Sequence, residues 1–161
     1  FTLEATGFPY DYYNRKYFSN NADEATFGDG APNGPSNDRV IRLADVMLLY
    51  AEAAWHTGNE TTTRNMLNLV RERARGGNNS VLGDINGQVT GNALLDRVYH
   101  ERRVELALEG HRFFDLVRQG RAGEVLRAQG LNFVDGVHEL FPVPSAEITL
   151  SGGQITQSPG Y

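Results

Sequence analysis

Glu105 and Glu109 stand four residues apart within ERRVELALEGHRFFDLVR, the run from Glu101 to Arg118. Two carboxylates on adjacent helical turns are the raw material of a retaining glycosidase, whose acid and nucleophile sit about 5 Å apart. In such a pair one carboxyl must stay protonated near neutrality. Arg102 lies three residues before Glu105, and a cation on the same face works against that assignment. At 3.6 residues per turn, Leu94, Val98, Arg102, Glu105, Leu106 and Glu109 fall within about a third of the helix circumference, so charges share a stripe with core-type residues. An isolated buried charge costs several kcal/mol, and these side chains must therefore pair or line a cleft. Gly110 interrupts the helix, and Arg112, Asp115 and Arg118 follow within reach of a bend. The spacing favours pairing: Arg102, Glu105, Glu109, Arg112, Asp115 and Arg118 read as a structural ion network closing a helical corner.

Other residues offer weaker chemistry. Glu52 and His56, and His111 and Asp115, stand four apart as metal ligands can, yet neither pair has a visible third ligand and HExxH is absent. Asp84 and Asn86 before Gly87 match part of a calcium loop, but the other ligand positions and the terminal glutamate fail, which leaves turn chemistry. No glycine-rich phosphate loop precedes a helix, and no serine occupies a nucleophile elbow. The residues therefore specify no catalytic group, no metal and no cofactor. Flat aromatic rings with polar tips suit sugar stacking. Tyr10 and Tyr12, which share one face of an expected strand, are the candidates for ligand contact; Trp55 flanks an apolar helical stripe and reads as packing.

The 161 residues suit one domain, and 40% hydrophobic residues can bury a core. A net charge of -5 with dispersed basic residues gives no general attraction to nucleic acid. The absence of cysteine excludes disulfides, a thiolate nucleophile and a cysteine zinc site. No apolar run approaches a membrane span.

The elements that position these residues follow from periodicity. Residues 1–38 hold Tyr10, Tyr12, Tyr13, Tyr17 and Phe18, a short aromatic strand, and then a loop, GDGAPNGPSND. Residues 39–75 form a helix pair. Leu43, Met47, Tyr50, Ala51 and Ala54 mark the inner face of the first helix, which ends before Gly58. Asn59 caps the second, which carries Met66, Leu69, Val70 and Arg73 on one side and stops at Gly76 and Gly77. A long surface loop leads to Gly91. Residues 92–129 are the charged helices, opened by Asn92 as a cap and ended by Gly130. Residues 130–161 are irregular, with LFPVP extended but barred by its prolines from a central strand. The fold class is mainly α, with long loops and little β structure.

Four segments in order, DYYNRKYF, RLADVMLLYAEA, ERRVELALEGHRFFDLVR and LFPVPSAEITLSGGQITQSPGY, resemble the C-terminal region of SusD-like (RagB/SusD) nutrient-binding outer-membrane lipoproteins. The resemblance runs from Tyr10 to Tyr161 and implies a C-terminal piece of a longer protein whose lipid-bearing cysteine lies outside this chain. It implies a tetratricopeptide-like helical hairpin at Leu43 to Arg75, with Ala51, Leu67 and Val70 at helix-packing positions and Thr63 where the repeat usually has alanine. It also implies a non-enzymatic role: binding a nutrient, most often an oligosaccharide, at the cell surface beside a SusC-like TonB-dependent transporter, with membrane attachment only through the lipid anchor. Arg102, Arg103, Glu105, Glu109, Arg112, Asp115 and Arg118 match the family signature and not its ligand site. The alternative is a protein-interaction scaffold with no ligand site of its own.

Burial of the network gives a direct expectation. Glu105→Ala should lower stability by about 3 kcal/mol by stranding Arg102 or its neighbour without a partner; a thermal midpoint unchanged within error would count against burial.

Overall fold

The computed structural model describes residues 40–161. These form six helices and, among the described residues, no strand. The expected aromatic strand, with Tyr10 and Tyr12, lies outside the described residues. The mainly helical class is as the sequence implies. The chain divides into two compact units at Glu105 and Leu106.

The first unit holds α1 (Leu43–His56), α2 (Glu60–Arg75) and α3 (Gly91–Glu105), with all three in mutual contact. Its core consists of Leu48, Ala51, Leu67, Val70, Leu94 and Val98, with Met47, Trp55, Met66, Ile85 and Val89 packed at the margin. The turn between α1 and α2 is fixed locally. Gly58 takes φ 79°, a left-handed conformation open to glycine. The Asn59 side chain then accepts from the Thr62 amide at 3.1 Å, satisfying one of the unpaired donors of the next helix. Small Ala51 lets α2 approach closely. The hydroxyl of buried Thr63 lies 3.1 Å from the carbonyls of both Ala51 and Asn59, so a polar residue at a core position is satisfied across the hairpin.

The rotation of α1 differs from the sequence expectation. Leu43 and Tyr50 are 73% and 55% exposed, whereas Leu48 is fully buried together with Asp45 and Glu52. A helix whose apolar residues run almost all the way round has no unique amphipathic direction, so inter-helix pairing decides which face turns in. On α2 the buried set is Thr63, Leu67 and Val70, with Leu69 exposed, which rotates the inner face by one residue from that read in the sequence.

The boundaries of α3 also shift. It begins at Gly91, so Asn92 lies inside the first turn and not at the cap. The Gly91 amide donates to Glu60 Oε1 at 2.7 Å and its carbonyl accepts from the Trp55 indole at 2.8 Å, bonds that anchor the helix start on the hairpin. At the other end α3 stops at Glu105 and residues 106–110 turn, with Leu108 and Gly110 at φ 63° and 83°. Glu109 thus lies off the helix that carries Arg102 and Glu105.

The loop of residues 76–90 is fastened to α2 by a polar stripe at Arg64, Asn68, Arg71 and Arg75, spaced to face one way. Asn68 exchanges two hydrogen bonds with the Ile85 backbone, at 2.8 and 3.1 Å, as a partner strand would. Arg71 donates to the Gly83 carbonyl, Arg64 to that of Val89, and Arg75 to that of Leu82 while pairing with Asp84 at 2.7 Å. Asn86 accepts from the Gln88 amide, an Asx turn where the sequence hinted at a calcium loop.

The second unit holds α4 (Arg112–Arg118), α5 (Ala122–Ala128) and α6 (Ser145–Leu150). Leu116, Ala122 and Phe133 form its core, flanked by Phe113, Val117, Val125 and Leu126. The short α6 was not expected in residues 130–161; Pro144, with φ -55°, presets the entry to it. The extended Pro-containing segment before α6 is held without a ladder. Gln157 accepts from the Val143 amide at 2.7 Å and donates to its carbonyl at 3.0 Å, and the Tyr161 hydroxyl donates to the Leu140 carbonyl at 3.0 Å. Gly160 (φ 86°) seats its backbone on Val137, where an added Cβ would lie 2.6 Å from a methyl carbon. Gly160→Ala combines that overlap with a left-handed backbone and should cost about 1–3 kcal/mol, read as a lower midpoint in denaturant titration; unchanged stability would show that the closure is loose.

Candidate functional site

The charged residues singled out in the sequence are distributed over both units. In the first, the ion pairs run between helices. Arg102 of α3 is buried with 3% of its side chain exposed and meets Asp45 Oδ1 of α1 at 2.8 Å; the Asp45 side chain is 9% exposed. At the adjacent position of α3, about 100° round the helix axis, Glu101 meets Arg71 of α2 at 2.8 Å, with side-chain exposures of 6% and 13%. The Glu105 carboxylate is contacted by Arg42, just before α1, and by Arg73 of α2, while the Glu105 carbonyl accepts a second bond from Arg42. Each helix of the unit thus contributes charge to its junction with another. Arg71 bridges further, since its guanidinium also holds the loop carbonyl of Gly83.

In the second unit, Asp115 and Arg118 are brought together one turn apart on α4. Arg118 Nε and Nη2 both donate to Asp115 Oδ1, at 3.0 and 2.9 Å. Glu109 and Arg112 are half-buried, and neither is without an interacting partner. Arg102 and Glu105 therefore have partners that spacing along their own helix did not supply. Arg42, Asp45, Arg71, Arg73 and Glu101 were missed in the sequence. Two of them left a signal. Glu101 is seven residues after Leu94 and three after Val98, on the stripe already identified, and Asp45 stands three before Leu48 and seven before Glu52 on the inner face of α1.

The arrangement has a clear chemical meaning. Guanidinium groups remain charged throughout the physiological range, so Asp45, Glu101 and Glu105 each face a permanent cation at hydrogen-bond distance. Such carboxylates hold helices together. Trp55 packs against the first core and spends its indole N–H on Gly91, a structural use of the ring. Among the described residues no group of three or more His, Asp or Glu side chains is placed to hold a metal ion. The ligand candidates Tyr10 and Tyr12 lie outside the described residues.

A helical domain closed by buried inter-helix arginine–carboxylate pairs is the class of protein that this geometry defines. The family model described as the SusD family matches residues 4–161, and the chain belongs to that family. It is 29% identical over 140 residues to SusD-like protein P2 of Formosa agariphila, a match covering 83% of this chain and 28% of that protein. It is 36% identical over 93 residues to SusD-like protein P38 of the same organism, covering 56% of this chain and 18% of the relative. Similarity to a SusD-like protein of Bacteroides ovatus reaches 37% over 90 residues, 53% of this chain and 14% of the relative. The chain thus spans less than a third of the length of these curated relatives. No solved structure matches it.

Burial separates the pairs energetically. Arg102→Ala leaves Asp45 buried without its guanidinium and should cost about 3–5 kcal/mol. Arg73, 64% exposed, contributes no more than about 1 kcal/mol to its pair, so Arg73→Ala should be nearly neutral. Chemical denaturation of both variants checks the contrast, and equal losses would contradict it.

Proposed function

We propose that the complete protein is a nutrient-binding component of an outer-membrane uptake system, that its nutrient is an oligosaccharide, and that this chain supplies the C-terminal scaffold. The family match over residues 4–161 carries this reading. In it, the protein sits at the cell surface on a lipid anchor outside this chain and partners a SusC-like TonB-dependent transporter. Among the described residues no helix is long and apolar enough to cross a membrane.

The ion pairs support a binding role over catalysis. A glycosidase needs one carboxyl free to deliver a proton and another free to attack. Glu105 is instead engaged by two arginines, and Glu109 lies off its helix. Aromatic stacking by Tyr10 and Tyr12 is the contact assigned to this chain in sugar binding, because tyrosine offers a flat apolar face with a polar tip.

Calorimetry of the complete protein against a panel of oligosaccharides, with product analysis after long incubation, tests the reading. Saturable binding with the sugar recovered intact is expected, and replacing Tyr10 and Tyr12 by alanine should weaken it roughly tenfold. Release of shorter sugars that depends on Glu105 would overturn the binding role. Capture of the transporter with no oligosaccharide bound would make the protein a scaffold.

A further inference from the structure

We infer that His138 is a proton-operated clasp in the second unit: the neutral ring closes the turn of residues 133–138, on which the segment ending at Tyr161 is seated, and protonation opens it. The Val134 amide donates to His138 Nδ1 at 3.0 Å, and the His138 amide donates to the Val134 carbonyl at 3.0 Å. One residue thus satisfies both backbone groups of another, as Gln157 does for Val143 with bonds of 2.7 and 3.0 Å. The two clips differ in one respect. An amide oxygen accepts throughout the physiological range, whereas an imidazole nitrogen accepts only while it carries no proton, and histidine changes charge between about pH 5 and about pH 8.

The same ring forms part of the seat for residues 160 and 161. His138 meets Phe133, a core residue, edge-on, with centroids 5.5 Å apart and planes at 83°, and its ring lies 6.4 Å from that of Tyr161. Gly160 rests on Val137, and the Tyr161 hydroxyl donates to the Leu140 carbonyl at 3.0 Å. The Tyr161 amide completes the closure by donating to the Ser158 carbonyl at 3.2 Å. The last residues are therefore placed against the very turn that His138 holds shut.

Protonation puts an N–H at Nδ1, where the Val134 N–H already points. Two donors then face each other, and the ring must swing away, taking with it the contacts to Phe133 and Tyr161. Because the closed turn holds the neutral ring, opening takes up a proton, and the clasp is lost as the pH falls. The neighbouring ionisable groups are accounted for. The Tyr161 phenol donates to Leu140, and a phenol keeps its proton throughout this range. Asp135, within the turn, is paired with Arg127 at 2.9 Å. Glu139, the next residue, has a carboxylate oxygen buried without a hydrogen-bond partner among the described residues, and is the rival proton acceptor.

Amide hydrogen exchange of the complete protein, resolved to single residues by fragmentation in the mass spectrometer, tests the clasp at about pH 8 and about pH 5. Corrected for the intrinsic rate at each pH, protection should fall roughly tenfold in acid at Val134 and decline with it at Tyr161, while Val143 on its glutamine clip is unchanged. His138→Asn offers a side-chain acceptor that does not titrate and should keep Val134 protected at both pH values, whereas His138→Phe should leave it unprotected at both. Glu139→Gln should retain the pH dependence of the unmodified protein. Equal protection of Val134 at the two pH values, or an equal loss at Val143, would overturn the inference. So would a pH dependence that survives His138→Asn or vanishes in Glu139→Gln, or a loss at Val134 with Tyr161 unmoved. None of these readouts involves a ligand, so the clasp stands or falls separately from oligosaccharide binding.

Discussion

A guanidinium group cannot be taken out of water alone, and that constraint organises the first unit. Arg102 is almost wholly buried, so an anion must reach it, and the anion is Asp45 on another helix. Satisfying that requirement turns Asp45 inward, which brings Leu48, Ala51 and Glu52 in with it and turns Leu43 and Tyr50 out. The apolar contacts supply most of the attraction but would tolerate several rotations of so hydrophobic a helix. The ion pair accepts one.

The same logic recurs where backbone would otherwise be unpaired. The loop after α2 and the proline-containing segment before α6 form no ladder, so side chains take the place of a neighbouring strand: Asn68 at Ile85, Gln157 at Val143 and the arginines of α2 at successive loop carbonyls. An amide side chain carries both a donor and an acceptor, and so can close two bonds with one residue as a strand partner does. Long loops thereby become defined surfaces without a sheet beneath them.

In this member of the SusD family, the ion pairs join helix to helix and loop to helix. The buried carboxylates Asp45, Glu101 and Asp115 are each matched to an arginine by a charge-assisted hydrogen bond. A positioning role of this kind is compatible with wide variation in the loops that meet a ligand, because the buried pairs that set helix geometry need not touch it.

Much of this was legible in the sequence, and the parts that were not share a cause. Gly58, Asn59 and Gly76 punctuate the hairpin through local backbone preference, so its turn and ends could be read directly. The buried placement of Leu94, Val98 and Arg102 follows from helical period, and the pairing of Asp115 with Arg118 from their separation by one turn. The partners of Arg102 and Glu105 were hidden because Asp45, Arg42 and Arg73 lie 32 to 63 residues away in the chain, and only packing brings them near. The end of α3 at Glu105 was hidden too, since a continuous run of good helix formers shows no stop before Gly110. By itself the sequence determined the helical class, the hairpin with its caps, and the need for charges to be neutralised in the core. The tertiary structure decided which charge meets which and which side of α1 faces inward, because those choices depend on distances between separate helices that no local preference encodes.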